Sequence, residues 1–256
     1  MRLLLYNIRY GTGHKKGFHL PVPYAGFFKK TTANLQRIIS FIRSVNPDII
    51  GLVEVDSGSY RSSNFCQAER IASDLGYHFV VETKSSSNSI VQRVPIIRQQ
   101  SNALLSRLAI IKCDLHYFSQ GVKRLIIEAE LDQVVVFIVH LSLKYRHRQN
   151  QLEQLYSLVK NSGKEVIIAG DFNTFWGSRE LRLFLAATDM KNANREGSPS
   201  HPSHAPHRQI DFILHTRGIH INSFSIPDIQ LSDHAPLICD FTCEPEAFPM
   251  YREVGR

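Results

Sequence analysis

Glu165-Val166-Ile167-Ile168-Ala169-Gly170-Asp171-Phe172-Asn173 runs an apolar stretch straight into a carboxylate and an amide. The stretch is short and rich in β-branched residues, so Glu165 to Ala169 predicts a buried strand that delivers Asp171 at its end. Side chains at 171 and 173 of an extended segment project to one side. Ser232-Asp233-His234-Ala235-Pro236, ahead of a predicted strand over Ala235 to Phe241, again sets a carboxylate beside a second polar group. Such pairs are suited to holding a divalent cation and activating water against a phosphate ester. In isolation each also reads as a simple turn. Asn7, Glu54, His140 and Asp211 likewise end apolar runs, and the whole set makes metal-assisted phosphoester hydrolysis the leading reading.

Further elements extend in both directions. Arg2 to Ile8 is a short buried strand carrying Asn7, and Thr32 caps an amphipathic helix in which Leu35, Ile38, Ile39, Ile42 and Val45 recur at helical spacing up to Asn46-Pro47. Asp48 to Val55 is a strand carrying Glu54. A helix from about Phe65 closes at Gly76 and leads into a strand over Tyr77 to Val81. Glu82 to Gln100 reads as a long surface loop, followed by strands at Asn102 to Ser106, Ala109 to Cys113, Val122 to Leu131 and Val134 to Val139. Helices are expected at Arg146 to Lys160 and Ser178 to Ala187, a loop at Asn192 to Arg208, and strands at Ile210 to His215 and Gly218 to Phe224. This order predicts an α/β, four-layered sandwich: two packed mixed β-sheets flanked by helices, with strand ends converging on one edge. Residues 1–243 are read as a single domain and 244–256 as a tail.

The composition fits that architecture and narrows the partners. Of 256 residues 43% are hydrophobic, an ordinary globular value, while 30 Lys and Arg against 23 Asp and Glu give a formal charge of +7. A positive balance favours nucleic acid, anionic lipid headgroups or free phosphate esters, without choosing among them. Cys66, Cys113, Cys239 and Cys243 form no Cys-x-x-Cys pair and read as buried free thiols, consistent with a reducing compartment. With no signal segment and no apolar stretch long enough to span a bilayer, a cytoplasmic location with possible peripheral membrane contact is expected, and a monomer.

Tyr6-Asn7-Ile8-Arg9, Leu52-Val53-Glu54-Val55, Val139-His140-Leu141, Gly170-Asp171-Phe172-Asn173, Arg208-Gln209-Ile210-Asp211-Phe212 and Ser232-Asp233-His234-Ala235-Pro236 occur in this order over nearly the whole chain. In this respect the chain resembles the endonuclease/exonuclease/phosphatase superfamily, the group of deoxyribonuclease I, AP endonucleases, sphingomyelinases and inositol polyphosphate phosphatases. The resemblance implies a deoxyribonuclease I-like fold and a site holding Mg²⁺ or Mn²⁺. Glu54 would be the principal metal ligand, because a carboxylate leaving a buried strand offers the hard oxygen that Mg²⁺ prefers, with Asn7 and Asp233 completing or orienting the site. Asp171 would orient or deprotonate the attacking water, Asn173 would hydrogen-bond the scissile phosphate, and Asp211 would hold the ring of His234, which meets a phosphoryl oxygen or the water. His140 matches a histidine of the deoxyribonuclease I and sphingomyelinase branches, and it argues against the exonuclease III type. Asp56, close to Glu54, is left out of the site.

Arg9, Lys144 and Arg146 are candidate phosphate contacts, with His147 and Arg148 near them. Gly11 to Lys30 mixes His14, Lys15, Lys16, Phe18, Tyr24, Phe27, Phe28, Lys29 and Lys30, suited equally to a basic aromatic lip and to an ordinary loop. His201, His204 and His207 show no regular ligand spacing and are assigned to a loop rather than a second metal. The expected activity is hydrolysis of nucleic acid phosphodiester bonds. The alternatives are a phospholipid headgroup phosphodiesterase of sphingomyelinase-like type, to which Asn102-Ala103-Leu104-Leu105-Ser106 is similar, and a catalytically silent binding module.

Overall fold

Strands with two apolar faces build the interior. In β1 (Arg2–Asn7) Leu3 and Leu5 enter one cluster of buried side chains, while Leu4 and Tyr6 enter another. The same alternation runs through β7 (Val134–His140), where Val134, Val136 and Ile138 go one way and Val135, Phe137 and Val139 the other, and through β8 (Glu165–Asp171). The cluster shared by all three strands is the layer between two sheets, and the other two clusters lie beneath helices.

The computed structural model describes residues 1–13, 30–83, 99–121 and 123–244. Most of the basic aromatic segment Gly11 to Lys30, most of the loop Glu82 to Gln100 and the tail after 244 lie outside the described residues. The remaining elements are α1 (Thr32–Val45), β2 (Ile49–Asp56), α2 (Gln67–Leu75), β3 (His78–Thr83), β4 (Gln100–Ser106), β5 (Lys112–Tyr117), β6 (Leu125–Glu130), α3 (Tyr145–Lys160), α4 (Arg182–Thr188), β9 (Lys191–Asn192), β10 (Asp211–His215), β11 (Ile219–Ser225) and β12 (Leu237–Cys243). They form two six-stranded mixed sheets, ordered β11-β12-β1-β2-β4-β3 and β5-β6-β7-β8-β10-β9. Leu35, Ile38, Ile39 and Ile42 of α1 with Ile71 of α2 cover the first sheet; Leu152, Leu155 and Val159 of α3 with Phe184 of α4 cover the second. The expected four-layered sandwich is the observed fold.

Two glycines mark close approach. A Cβ on Gly51 would meet Cδ1 of Ile138 across the sheet interface at 2.6 Å, and one on Gly170 would meet the carbonyl oxygen of Val139 at 2.0 Å. The second contact is backbone and cannot yield, so the residue before Asp171 must be glycine.

Three local expectations are corrected. The strand expected at Ala109 to Cys113 lies later, at β5: an edge strand buries one face only, so Lys112-Cys113-Asp114-Leu115-His116-Tyr117 lacks an apolar run, while Leu108 and Ile110 pack on the core from the connection before it. Ser178 to Ala187 divides into a 3-10 turn at Gly177–Leu181 and the shorter α4. Thr31, not Thr32, precedes the first helix, and its hydroxyl donates to the carbonyl of Arg61 instead of capping.

Candidate active site

The inter-sheet faces of three adjacent strands end in polar groups. His140 continues the inward positions of β7, Asp171 those of β8 and Asp211 those of β10, whose Ile213 also enters the layer between the sheets. In register His140 lies opposite Asp171 across the parallel pair, and Asp171 opposite Asp211 across the antiparallel pair, so the three form one lateral row. Asn7 ends the inward face of β1 on the opposing sheet, and its amide donates to Asp171 Oδ2 at 3.1 Å. His140 Nε2 stands 3.3 Å from the same oxygen.

Glu54 arrives differently. Alternation along β2 would turn it toward the helices with Ile50 and Leu52, but pairing with β4 shifts register between Leu52 and Val55, and Glu54 has φ +57°. This bulge leaves Val53 in the inter-sheet layer, returns Val55 to the helix side and presents Glu54 to the cleft between the sheets. The displaced N–H of Glu54 is taken by Oδ1 of Asn102, which is fully buried, at 3.4 Å. Asp56, which regular alternation would have placed on Glu54's side, instead pairs with the buried guanidinium of Arg61 and accepts from the Gly58 and Ser59 backbone. The register shift and this ion pair hold Asp56 in the turn after β2, and it is not among the residues that line the cleft.

Asp233 and His234 precede β12 and are tied down by the segment around Ser200. Ser203 N–H donates to the carbonyl of Asp233 at 2.7 Å and Ala235 N–H to that of Ser200 at 2.8 Å, while Ser200 Oγ donates to Asp211 Oδ2 at 2.6 Å. His234 Nδ1 lies 2.9 Å from Asp211 Oδ2, which directs Nε2 toward Asn7 and Asp171, at 3.4 and 3.9 Å. Asn173 bends back on this group: its N–H donates to Asp171 Oδ1 at 3.0 Å, and one hydrogen of its amide goes to the Leu141 carbonyl at 2.9 Å.

The charges are set by one another. Burial favours neutral His234, but the carboxylates of Asp211, Asp171 and Asp233 outweigh it and push its pKa up to about 10, so the ring is an imidazolium near neutrality. Burial raises the Asp211 pKa, opposed by His234 and by the Ser200 hydroxyl. Burial also disfavours ionised Asp171, yet His140, His234 and Lys123 together hold its carboxyl below the ordinary range. Asp171 is therefore an anion in a nearly dry setting, 2% exposed.

Arg9, Glu54, Lys123, Asp171, Asn173, His201, Arg208, Asp233 and His234 share the lining of one cleft of about 700 Å³. Of the sequence-derived candidates, Arg9 reaches it and pairs with Asp233 at 3.3 Å. Lys144 and Arg146 do not: both are exposed, Lys144 just before α3 and Arg146 on its first turn, and neither lines the cleft. Arg148 is no phosphate contact either, because it is buried and paired with Glu180. Sequence reasoning missed Lys123, whose ammonium meets His140 and lies 3.8 Å from Glu54 Oε1; a basic residue in the connection before a strand carries no mark of that position. His201, assigned to a loop, has its ring 4.7 Å from that of His234, and burial and the His234 charge lower its pKa to about 4. The signal there was the run of Ser, His and Pro before Asp211.

The model of the Endonuclease/Exonuclease/phosphatase family matches residues 4–234, a span that holds every site residue above. The chain belongs to the endonuclease/exonuclease/phosphatase family. It is 32% identical over 108 residues to a UPF0294 protein of Yersinia pseudotuberculosis, covering 42% of this chain and 41% of that protein. A UPF0294 protein of Vibrio parahaemolyticus is 29% identical over 114 residues, covering 42% and 38%. The chain thus matches about two fifths of the length of these curated relatives. Among solved structures, the mannosyl-6-phosphatase of Bacteroides thetaiotaomicron superposes with TM-score 0.71 at 13% identity, over 94% of this chain and 99% of that one. The human Nocturnin catalytic domain with bound sulfate gives 0.69 at 18%, over 95% and 94%. At such identities these likenesses establish the endonuclease/exonuclease/phosphatase fold and no more.

The donor chemistry of this family member fits a hard divalent cation. Glu54 and Asp233 bring carboxylate oxygens to the cleft, while Asn7 reaches it through Asp171, to which its amide donates, and its Oδ1 accepts from the Arg9 N–H at 3.1 Å. The tightest groups of ligand-type atoms among the described residues are His201 with Asp233 and His234, and Asp171 with Asp211 and His234, each within 4.8 Å. Glu54 belongs to neither; it approaches them through His140, whose Nε2 is 3.9 Å from Glu54 Oε1.

Proposed function

We propose that residues 1–243 act as one catalytic domain, a phosphodiesterase dependent on Mg²⁺ or Mn²⁺, that hydrolyses phosphodiester bonds of nucleic acid. The observation that carries this reading is the juxtaposition, in a single cleft, of an anionic Asp171, an imidazolium His234 and two further carboxylates at Glu54 and Asp233. Glu54, Asp233 and Asn7 hold the cation, which supplies Lewis acidity toward a phosphoryl oxygen.

Asp171 orients the attacking water and accepts its proton as the water oxygen bonds phosphorus and the ester P–O bond breaks; the leaving oxygen takes a proton from solvent, and Asp171, whose pKa lies below the ordinary range, gives its own back to solvent. His234, held by Asp211, donates from Nε2 to the charge that builds on the phosphoryl oxygens, and Asn173 adds its second amide hydrogen. His140, with Lys123 against it, faces Asp171 from the other side and supports the same charge. Arg9 and Lys123 each stand beside a carboxylate, ready to take up a substrate anion.

The test compares cleavage of bis-p-nitrophenyl phosphate and p-nitrophenyl phosphate with and without Mn²⁺, repeated for Glu54→Ala. Diester cleavage that needs Mn²⁺ and falls in the variant is expected. Faster cleavage of the monoester would make the protein a phosphatase, and metal-independent turnover would remove Glu54 from its role. Among the described residues no helix is long and apolar enough to cross a membrane.

A further inference from the structure

Leu143, Tyr145, Phe175 and Trp176 are 59%, 56%, 43% and 76% exposed, and the Tyr145 and Phe175 rings both stand near the Arg148 guanidinium. Leu143 and Phe175 line the cleft itself, and Phe175 is two residues beyond Asn173. Isolated apolar residues on a surface need no explanation, but this group is built rather than incidental.

Its framework is the Arg148–Glu180 pair, whose side chains are 2% and 4% exposed. The Arg148 guanidinium donates from Nη1 to the carbonyls of Ser142 and Leu143 and lies 5.8 Å from the Tyr145 ring and 5.9 Å from the Phe175 ring. Glu180 accepts from the guanidinium with one oxygen and from the Trp176 N–H with the other, at 3.0 Å in each case. A desolvated ion pair is costly unless every hydrogen bond is used. Here it fixes the backbone at 142, 143 and 176 and stands beneath two rings that remain open to solvent. Arg208, also in the cleft wall, stands 5.7 Å from the Phe175 ring.

We propose that this shelf binds a nucleobase of the nucleotide whose phosphate is cleaved, with Phe175 as the stacking plane and Arg208 as its cationic partner. The inference rests on the phosphodiesterase reading and deepens it by assigning the group next to the scissile phosphate. Three features favour a planar heterocycle over a lipid chain. The Phe175 ring lines the cleft together with Asn173 instead of standing on a separate prominence. It is flat and flanked by the Arg148 and Arg208 guanidinium groups at 5.9 and 5.7 Å, an arrangement that stacks any base. The cleft beside it also carries Arg9 and Lys123, which suit a phosphate anion.

Trp176 is the only tryptophan in the chain and follows Phe175 in sequence, so its fluorescence serves as a reporter beside the shelf. The full chain is titrated with the dinucleotide ApA, with dimethyl phosphate, and with vesicles of phosphatidylcholine and phosphatidylserine, without added metal. Saturable quenching by ApA, at concentrations where dimethyl phosphate and the vesicles leave the emission unchanged, is the expected result. Phe175→Leu keeps the reporter and should weaken ApA binding by about 5-fold to 100-fold, the range of one base stacked on an aromatic ring. Equal response to ApA and dimethyl phosphate, or ApA affinity unchanged in Phe175→Leu, overturns the proposal. A blue shift with vesicles but not with ApA also overturns it and assigns the shelf to a membrane. Bis-p-nitrophenyl phosphate turnover on the same preparation separates the two levels: cleavage without ApA binding sinks only the shelf, and binding without cleavage of any diester sinks the catalytic reading.

Discussion

The two sheets bring unlike halves to the cleft. The first supplies Asn7, Glu54 and, just before β12, Asp233; both carboxylates are partly exposed and each lies near a basic side chain, Lys123 at 3.8 Å and Arg9 at 3.3 Å. The second supplies His140, Asp171 and Asp211, a row only 1–3% exposed in which each group is held by its neighbours. The difference matches the work proposed for each. A site that exchanges a cation and substrate oxygens has to stay open to water, whereas groups that must keep a given charge are best set in a dry environment, where nearby charges act strongly. His234 links the halves, since it precedes a strand of the first sheet and bonds Asp211 of the second.

The sharpest way to break this division is Asp171→Asn. If the second sheet carries the proton chemistry, kcat for a diester falls by about 10²-fold to 10⁴-fold, while Mn²⁺ affinity by calorimetry changes little. Near-normal turnover would sink the role, and a parallel loss of Mn²⁺ would move Asp171 into the metal half.

Next in size is the contrast between Glu54 and Asp56 on the same strand. Arg61→Ala strands the Asp56 carboxylate in a fully buried place and should cost about 3–5 kcal/mol of stability in urea unfolding. Mn²⁺ affinity of the folded protein should be retained. Were Arg61→Ala to unfold at the wild-type urea midpoint, the ion pair would not be what holds the turn after β2. Glu54→Gln should behave in the opposite sense, weakening Mn²⁺ with the unfolding midpoint little changed.

Asn102 tests the bulge on which the first half depends. Outer partners of metal ligands typically contribute about 10-fold to 100-fold in metal affinity, and the low end applies here because Asn102 bonds the backbone of Glu54 rather than its carboxylate. Asn102→Ala is therefore expected to raise the Kd for Mn²⁺ by about 10-fold, with kcat restored at saturating Mn²⁺. A loss of kcat that no amount of Mn²⁺ recovers would mean that Asn102 serves the fold or the chemistry instead.

The two halves also differ in how far the sequence revealed them. The second was marked by the ends of apolar runs, where His140 and Asp171 were expected, and the period of an extended chain explains why His140 points inward with Val134, Val136 and Ile138, and Asp171 with Ile167 and Ala169. Asn7 follows from Leu3 and Leu5 in the same way. Parity fails for Glu54, because a left-handed residue in the middle of a strand leaves no trace in Leu52-Val53-Glu54-Val55, and it was the family motif that singled the residue out. Contacts made between distant loops were also hidden. Lys123 against His140 and His201 against His234 exist only after the chain has folded, and the burial of Arg148 depends on Glu180, which lies 32 residues later.

The smallest effect expected concerns the first sheet at its other end. Arg2 begins β1 and pairs with Asp240 of β12 at 2.7 Å, with side chains 41% and 28% exposed. The hydrogen bond from Arg2 lowers the Asp240 pKa, and a lowered carboxyl pKa adds stability that is present above its unfolded value, about 3.9, and is lost as pH falls through the folded value. Solvent screens a pair this open, so Arg2→Ala should cost only about 0.2–1 kcal/mol at neutral pH. Urea midpoints of wild type and variant should converge once the pH is well below the ordinary carboxylate range. A gap that stays constant into acid would show that Arg2 contributes through the carbonyl of Val45, which it also bonds, at 2.9 Å, and that the outer end of this sheet is held by uncharged contacts.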